Sequence, residues 1–432
     1  MRVLISGGGT GGHVYPALAV VAQVPKLAGV PQASVEPQGQ PEIGEWRPEI
    51  DAPADRSLLS NTTGLLWVGA MGSMERALVE REGILFRGIE TGQVRGINPM
   101  TALSNSAKMV TGVRQSLALI ADFRPDVCLV TGGYVCVPVV VACRIARRKR
   151  IPVLVYLPDM MPGWAIRTLS LLAQRVAVSF PAAARYFGGK APKGKAVVTG
   201  YPVRDELLAV TGYGRLEATA HRRNRLCMRQ QLADRLQRPT LAPGADGVQL
   251  PLLLVTGGSQ GSRNINRTIW AALAQLLPQM HILHLVGTRD WPLFEAEAPA
   301  AGLATELSQR YHPVAYLHEE MVLALAAADL AVARAGASTL GEFPLARLPA
   351  ILVPLLSVNQ QQNAEQLAQQ GAALVVDDAR LGEQLAAAIL GLAQDEQRRQ
   401  QMEQALSTLA QPNAARAIAE ELAKLATGAS SL

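Results

Sequence analysis

Five glycines lie between Gly7 and Gly12, and a histidine follows them directly. The preceding apolar run, Arg2–Ser6, predicts a buried parallel strand, and a helical pattern begins near Pro16. Glycine lets main-chain N–H groups approach an anionic or hydroxylated ligand closely, so a strand, a glycine turn and a helix start form a backbone cradle. His13 can move a proton near neutral pH. The stretch therefore predicts a ligand-binding turn with a candidate general base.

Two familiar phosphate-binding motifs do not fit this turn. No Gly-Lys-Ser/Thr follows the glycines, which excludes a Walker loop. No acidic residue ends a clear second strand about twenty residues later, so the match to a dinucleotide-binding fingerprint is also poor. The residues of the turn leave its ligand open.

A second small-residue turn, Ala335–Glu342, follows an apolar strand in the second half of the chain. Backbone donors at Ala337, Ser338 and Thr339 suit phosphates, because N–H groups at a helix start point towards an anion. Glu342, one turn into the helix, can accept hydrogens from the vicinal hydroxyls of a ribose. The alternative is that its carboxylate only favours the helix N-terminus.

Uncharged amides follow at Asn359–Asn363, and amides read sugar hydroxyls through paired donors and acceptors. An ordinary polar helix start is the alternative interpretation. Asp377 and Asp378 stand side by side after a predicted strand, where a turn is commoner than a metal site. We therefore expect no metal.

The elements that must position these residues repeat along the chain. Pro251–Thr256 predicts a strand, Gly257–Ser262 a glycine turn and Ile265–Leu277 an amphipathic helix, which is the N-terminal pattern again about 250 residues later. Two such strand–helix series predict an α/β fold with two doubly wound, Rossmann-like domains that face a central cleft. The expected ranges are domains at 1–204 and 205–410, a C-terminal helix within 411–432 that packs back on the first domain, and irregular excursions that are proline-rich at 25–64 and basic at 211–248.

Length and composition narrow the class of protein. A chain of 432 residues can bury two cores, and its net charge of +6 favours acidic partners such as nucleic acid, an anionic membrane or phosphorylated substrates. Only 4% of the residues are aromatic, and the basic residues are not interleaved with them. A stacking platform for single strands is therefore not expected, and neither is a nucleic-acid partner.

The four cysteines form no C-x-x-C pair and have no nearby histidine, so we expect free buried thiols in a reducing cytosol. We expect no signal peptide, and no apolar run is long enough to span a bilayer. The basic run Arg144–Arg150 and the apolar helix around Met100–Val113 could together contact an anionic membrane. A solvated helix end is an equally good interpretation of the basic run alone.

Taken together, the motifs of the chain resemble a known family. They are Gly8-Gly-Thr-Gly-Gly-His-Val-Tyr-Pro16, Gly132-Gly-Tyr-Val135, Pro202-Val-Arg204, Gly257-Gly-Ser-Gln-Gly261, Ala337–Glu342, and Gln360 with Asn363-Ala364. In this order they resemble the MurG-type N-acetylglucosaminyltransferases of bacterial cell-wall synthesis, in glycosyltransferase family 28. The resemblance implies a two-domain fold of the GT-B type.

The resemblance also implies an activity. It is inverting transfer of N-acetylglucosamine from UDP-N-acetylglucosamine to the muramyl sugar of undecaprenyl-pyrophosphoryl-muramyl-pentapeptide (lipid I), giving lipid II. No cofactor or metal beyond the donor substrate is implied, and the enzyme would lie peripherally on the cytoplasmic face of the cell membrane.

Site residues carry over from the family position by position. Thr10, Gly11 and Gly12 would lie beside the donor sugar and its diphosphate, Arg204 and Ser259 would contact the phosphates, and Leu317 would offer backbone groups to uracil. Phosphate and ribose would be held by Ala337, Ser338, Thr339, Leu340, Gly341 and Glu342, with Glu342 on the ribose hydroxyls and Gln360 on the sugar. We expect His13 to be the base, and Arg204 with the Ser259 and Ala337 turns to stabilise the leaving group.

One stretch departs from the family pattern. Where the family has His-Glu-Gln-Asn, this chain has Tyr156-Leu157-Pro158-Asp159. Asp159 replaces an amide that the family uses near the substrate, and it is a second candidate for the base. The change leaves two alternatives open, namely a related glycosyltransferase with another lipid or glycan acceptor and a non-catalytic subunit that only binds the donor. A 2-epimerase with the same fold would be expected to carry more catalytic acids.

Overall fold

The N-terminal strand β1 (Val3–Gly7) is wholly buried and lies between two parallel neighbours. The structure is a computed structural model, and it describes residues 1–8, 11–27, 64–73, 75–93, 98–147, 150–189, 194–213, 218–244, 250–356 and 360–428. The other strands in the sheet of β1 are β2 (Leu65–Ala70), β3 (Leu85–Ile89), β4 (Val127–Gly132), β5 (Val153–Leu157), β6 (Arg175–Val178) and β7 (Ala196–Val198). Their order is β3-β2-β1-β4-β5-β6-β7. The chain thus adds β2 and β3 on one side of β1 and β4 to β7 on the other, and the strand order reverses between β1 and β4.

Helices connect these strands as the parallel order requires. They are α1 (Gly11–Val21), α2 (Val24–Leu27), α3 (Glu75–Arg81), α4 (Pro99–Phe123), α5 (Cys136–Ile145) and α6 (Trp164–Leu172), with a 3-10 helix at Pro181–Phe187. The long helix α4 begins where Asn98 caps it, since the Asn98 side chain accepts hydrogen bonds from the N–H groups of Met100 and Thr101.

A second sheet repeats the same topology. Its strands are β8 (Leu252–Thr256), β9 (His281–Leu285), β10 (Tyr311–Val314), β11 (Leu330–Ala333), β12 (Ala350–Leu352) and β13 (Ala373–Val375), in the order β10-β9-β8-β11-β12-β13. The pairings of β8 with β9 and with β11 are parallel. Each sheet reverses beside its first strand, which confirms the predicted α/β class with two doubly wound, Rossmann-like sheets.

The helices of the second half cover both faces of this sheet. They are α7 (Asp205–Thr211), α8 (Ala218–Arg235), α9 (Arg263–Leu276), α10 (Trp291–Glu297), α11 (Thr305–Ser308), α12 (Glu320–Ala327), α13 (Thr339–Ala346), α14 (Gln360–Gln369), α15 (Leu381–Gln394) and α16 (Glu396–Leu409). Most of the last helix, α17 (Ala414–Thr427), groups instead with the residues of the first sheet. Alternate residues of β8 face two separate cores. Leu252 and Leu254 belong to one core, and Leu253 and Val255 belong to the other.

The chain divides into two compact units. The first contains residues 1–156, 164–176 and 416–432, and the second contains residues 157–163 and 177–415. The boundaries expected after residues 204 and 410 stay predictions. Most of the proline-rich segment expected at 25–64 lies outside the described residues. No helix in the described ranges is long and apolar enough to cross a membrane.

The prediction of an irregular basic segment at 211–248 is wrong for residues 218–235, which form the helix α8. Two of its arginines are buried and engaged. Arg225 pairs with Asp329 and Glu403, and Arg229 donates to the carbonyls of Leu241 and Leu250. In the sequence a run of arginines indicates a solvated surface, because the carboxylates that pair with Arg225 are over 100 residues away in the chain.

The prediction for the cysteines holds in part. All four thiols are free, and Cys128, Cys136 and Cys143 are buried as expected, but Cys227 is exposed on α8.

Replacing Arg225 with alanine should lower the free energy of unfolding by about 3 kcal/mol or more, because it leaves Asp329 and Glu403 half-buried without their partner. The matched control is Arg222→Ala on the same helix. Arg222 pairs with Glu396, but 71% of its side chain is exposed, so the loss should stay within about 0.5 kcal/mol. Urea unfolding of both variants measures the difference, and equal losses would contradict the assignment.

Candidate functional site

Two glycine turns meet in the first unit, after β1 and after β4. The Gly8 N–H donates to the carbonyl of Gly132 at 3.2 Å, and a Cβ on Gly133 would lie 2.7 Å from the Gly8 carbonyl oxygen. Gly132 and Gly133 also have positive φ angles of 124° and 95°. Only glycine allows both the conformation and the approach, so these backbones pack directly against one another where the sheet reverses direction.

His13 lies at this junction, partly exposed, in the first turn of α1. Its carbonyl accepts a hydrogen bond from Thr131 Oγ1 at 2.8 Å. Its ring lies against Gly132, since a Cβ there would come within 2.9 Å of His13 Cε1. The end of β4 thus holds both the backbone and the ring of the candidate base. Gly11 and Gly12 begin α1, and Thr10 lies outside the described residues.

A buried thiol supports the same turn, and sequence reasoning did not single it out. Cys136 Sγ donates to the Gly132 carbonyl at 2.9 Å. Burial raises the pKa of this thiol to about 12, so it stays protonated near neutral pH. Cys136 is therefore a packing and hydrogen-bonding group and not a nucleophile.

In the second unit the turn Gly257–Ser262 follows β8. Gly258 and Gly261 have φ angles of 87° and 83°, and a Cβ on Gly261 would collide with the carbonyl oxygen of Val286. Ser259 is partly exposed in this turn. The turn is held close to the end of β9, which leaves its N–H groups near the start of α9.

A buried polar network lies behind that turn. Asn266 Nδ2 donates to the Val286 carbonyl at 2.9 Å and to Asp290 Oδ2 at 3.1 Å, and Asn266 Oδ1 is 3.0 Å from His284 Nε2. Burial lowers the pKa of His284 to about 3, so the imidazole is neutral near pH 7. His284 Nδ1 contacts the Tyr311 hydroxyl at 2.9 Å. The other bonds of the network hold the Asn266 side chain in place, and Asn266 holds the Val286 carbonyl against Gly261.

Arg334 joins the carboxyl ends of several strands. Its guanidinium donates to Ser262 Oγ at 3.0 and 2.7 Å and to the Val353 carbonyl at 3.2 Å, and it pairs with Asp378 at 2.6 Å. Asp377 accepts a hydrogen bond from the Ala379 N–H, so both adjacent aspartates have local structural partners. Sequence reasoning missed Arg334, although a charge placed directly after a buried strand was a usable signal.

The predicted phosphate and ribose residues lie at the start of α13. Ala337, Ser338 and Glu342 are partly exposed, whereas Thr339, Leu340 and Gly341 are buried. A Cβ on Gly341 would collide with the ring of Tyr201. The glycine therefore lets the segment that carries Arg204 pack closely on α13.

Glu342 has an unusual acidity. Burial raises the pKa of its carboxyl to about 7, and the nearby charge of Arg204 opposes this rise. Arg204 is the first residue before α7 and is itself partly exposed. The carboxyl is thus divided between its two protonation states near neutral pH, where a bound hydroxyl donor can favour the ionised form.

Asp159 lies beside α14, in the second unit. The Asn363 amide donates to Asp159 Oδ1 at 2.9 Å and to the Ala335 carbonyl at 3.0 Å, and its oxygen accepts from the Met160 N–H at 3.1 Å. Asn363 is 1% exposed, so these bonds satisfy it completely. The residue that departs from the family pattern is therefore a hydrogen-bond acceptor for a buried amide.

The remaining predicted residues follow other strands of the same sheet. Leu317 is buried after β10, and Gln360 is partly exposed at the start of α14, where its side chain accepts a hydrogen bond from the Leu355 N–H. Because the strands are parallel, Ser259, Leu317, the α13 start and Gln360 all follow carboxyl ends, on one edge of the second sheet. Asn359 lies outside the described residues.

Comparisons with known proteins identify the family of the chain. Residues 58–178 match the glycosyltransferase family 28 N-terminal domain, and residues 252–422 match the C-terminal domain of that family. Two relatives bear the name UDP-N-acetylglucosamine--N-acetylmuramyl-(pentapeptide) pyrophosphoryl-undecaprenol N-acetylglucosamine transferase. The one from Roseiflexus sp. is 38% identical over 97% of this chain and 94% of its own, and the one from Desulforudis audaxviator is 32% identical over 99% of both.

Solved structures have the same fold. MurG of Acinetobacter baumannii superposes with a TM-score of 0.62 at 22% identity, over 98% of this chain and 100% of the other. UDP-GlcNAc 2-epimerase of Neisseria meningitidis gives 0.61 at 14% identity, with the same two shares covered. At such identities the likeness concerns the GT-B fold alone, which is the predicted one. Because full-length relatives exceed 30% identity, the chain belongs to the MurG-type N-acetylglucosaminyltransferases of glycosyltransferase family 28.

Proposed function

We propose that the protein transfers N-acetylglucosamine from UDP-N-acetylglucosamine to the muramyl sugar of undecaprenyl-pyrophosphoryl-muramyl-pentapeptide, converting lipid I to lipid II. The observation that best supports this proposal is made where the strands of the second sheet end. Two turns that begin helices follow neighbouring strands there, and one of these helices contains Glu342, whose pKa is near 7. This set suits a nucleotide diphosphate with a ribose, and the names of full-length relatives supply the acceptor.

The donor is held by the second unit. The N–H groups of Ser259, Ala337 and Ser338 bind the diphosphate, and Arg204 supplies a positive charge to it. The Thr339 N–H, also expected to bind phosphate, instead donates to the Gly336 carbonyl at 3.1 Å. Glu342 accepts hydrogen bonds from the ribose hydroxyls, and the backbone near Leu317 pairs with uracil. Gln360 forms hydrogen bonds with the N-acetylglucosamine sugar. Leu340 and Gly341 shape the start of α13. Thr10, Gly11 and Gly12 of the first unit approach the donor sugar and its diphosphate.

The transfer is a single displacement with inversion at the anomeric carbon. The acceptor hydroxyl forms the new C–O bond as its proton passes to His13, and the bond from the anomeric carbon to the diphosphate oxygen breaks. UDP leaves with the electron pair of that bond. Arg204 and the turn N–H groups stabilise the charge that develops on it. No cofactor takes part in this scheme.

Asp159 favours a second candidate function, which is transfer to a different lipid or glycan acceptor. The family has an amide at this position, and here a carboxylate receives the Asn363 N–H group. Its Oδ2 atom is the alternative base for the acceptor hydroxyl. The change alters the charge offered to an acceptor without altering the donor residues.

Incubation with UDP-N-acetylglucosamine and lipid I should give a β-linked product and UDP. His13→Ala should lower kcat by about 10²- to 10⁴-fold, since it removes the base, while donor affinity persists. Asp159→Asn should retain most activity, since its amide oxygen can still accept from Asn363. Chromatography of the lipid product and calorimetry of donor binding make the measurements.

Other outcomes of that experiment decide between the alternatives. UDP release without lipid II would support another acceptor, and donor binding without turnover would support a non-catalytic subunit. An active His13→Ala variant beside an inactive Asp159→Asn variant would move the role of base to Asp159.

Donor affinity should depend on the protonation of Glu342. Only the ionised carboxylate accepts two ribose hydrogens, so lowering the pH from about 8 to about 6, through a pKa of about 7, should weaken UDP-N-acetylglucosamine binding roughly tenfold. Glu342→Gln should bind weakly at both pH values. Calorimetric titration at each pH tests this, and a variant that keeps the pH dependence would contradict the role of Glu342.

We also propose that the first unit lies on the anionic cytoplasmic face of the cell membrane. Helix α4 exposes Met100 by 82%, Leu103 by 76% and Val110 by 57%, and the packed helix α5 ends in the exposed Ile145. Basic side chains lie beside this end of α5, at Arg144, Arg147 and Arg150. Apolar side chains flanked by cations suit insertion among anionic headgroups.

Vesicles that contain phosphatidylglycerol should bind the protein at low salt and release it as salt rises. Replacing both Met100 and Leu103 with glutamine should weaken binding about tenfold or more, because two apolar side chains lose their burial. Leu356→Gln, a 66% exposed position in the second unit, is the matched control. Vesicle sedimentation measures binding, and equal affinities for all three proteins would contradict the proposed surface.

A further inference from the structure

A buried carboxylate lies directly against the first glycine turn. Glu75 is 1% exposed at the start of α3. A Cβ on Gly8 would lie 2.5 Å from Glu75 Oε1, and one on Gly69 would lie 3.2 Å from the same oxygen. The Ala70 N–H approaches this oxygen at 3.4 Å. The carboxylate therefore fills the space between the end of β2 and the residue that follows β1.

Helix stabilisation alone does not account for this placement. An acid in the first turn of a helix interacts favourably with the helix dipole while it remains in water. Glu75 is instead removed from water, and the unfavourable free energy of burying a carboxylate exceeds its favourable interaction with the helix dipole. Glu80, on the same helix, shows the ordinary arrangement, since it is 46% exposed and pairs with Arg76 at 2.9 Å.

The contacts of Gly8 lead from Glu75 to His13. On its other side Gly8 donates to the Gly132 carbonyl at 3.2 Å, and its own carbonyl contacts Gly133. Gly132 in turn lies against the His13 ring. Three glycine backbones thus stand between the carboxylate and the imidazole, and a glycine has no side chain of its own that could adjust to a gap. Loss of the carboxylate would leave Gly8 unsupported on the side of β2.

We propose that Glu75 is a positioning residue for the transfer reaction, which holds Gly8 and through it the place of His13. The inference rests on the proposed function, in which His13 is the base. Glu75 touches neither substrate nor the reacting atoms in this assignment. Its effect is on the geometry of proton transfer, and the nucleotide residues of the second unit are independent of it.

The full-length chain is compared with three variants, Glu75→Ala, Glu75→Gln and the control Glu80→Ala. Glu75→Ala should lower kcat on the order of 10²-fold, since a displacement of about 1 Å at a reacting group has such an effect. Its affinity for UDP-N-acetylglucosamine should fall far less than kcat, because the proposed contacts of uracil and ribose lie in the second unit. Glu75→Gln keeps the shape and the acceptor oxygen, so it should restore most of kcat. Glu80→Ala should behave as wild type.

Backbone hydrogen exchange over residues 3–21 gives a second measurement that needs no turnover. Exchange should be faster in Glu75→Ala than in wild type, Glu75→Gln or Glu80→Ala. If wild type transferred no sugar, the proposed function would fail, and the exchange comparison would still decide this inference. The inference about Glu75 would be overturned if Glu75→Ala had the kcat and the hydrogen exchange of the wild type. It would also be overturned if the loss of kcat were matched by an equal loss of donor affinity.

Discussion

The candidate site depends on the close approach of bare backbones at the carboxyl ends of parallel strands. In the first unit Gly8 touches Gly132 and Gly133, and in the second unit Gly261 lies against the Val286 carbonyl. A side chain at any of these positions would separate strands that must stay hydrogen-bonded. Both contacts occur at or beside the point where the strand order of a sheet reverses, so one steric constraint explains why both candidate turns lie where they do.

A largely buried charged side chain lies behind a turn in each unit, and its contact with that turn joins residues distant in the chain. Arg334 connects Ser262, Val353 and Asp378, and so fixes four strand ends of the second sheet to one another. In the first unit Glu75 lies beneath Gly8. In both units a charged side chain thus contacts a turn that follows a strand.

Asp159, which departs from the family pattern, fits the local fold through one hydrogen bond. Its carboxylate receives a hydrogen bond from Asn363, a buried amide whose other bonds reach Ala335 and Met160. An amide at position 159 could accept the same bond through its oxygen. The hydrogen bond with Asn363 therefore leaves the local packing in place whichever of the two groups is present.

The sequence by itself determined the α/β class, the two strand–helix series and the glycine turns, because period, apolar runs and glycine clusters are local signals. It also determined the family, since the motifs of both halves occur in order. Only the tertiary structure decided that Arg225 and Arg229 are buried in a helix, that Arg334 joins the strand ends, that Cys136 stays protonated, and that the pKa of Glu342 is near 7. Burial and charge pairing depend on residues distant in the chain, and one stretch of sequence contains neither.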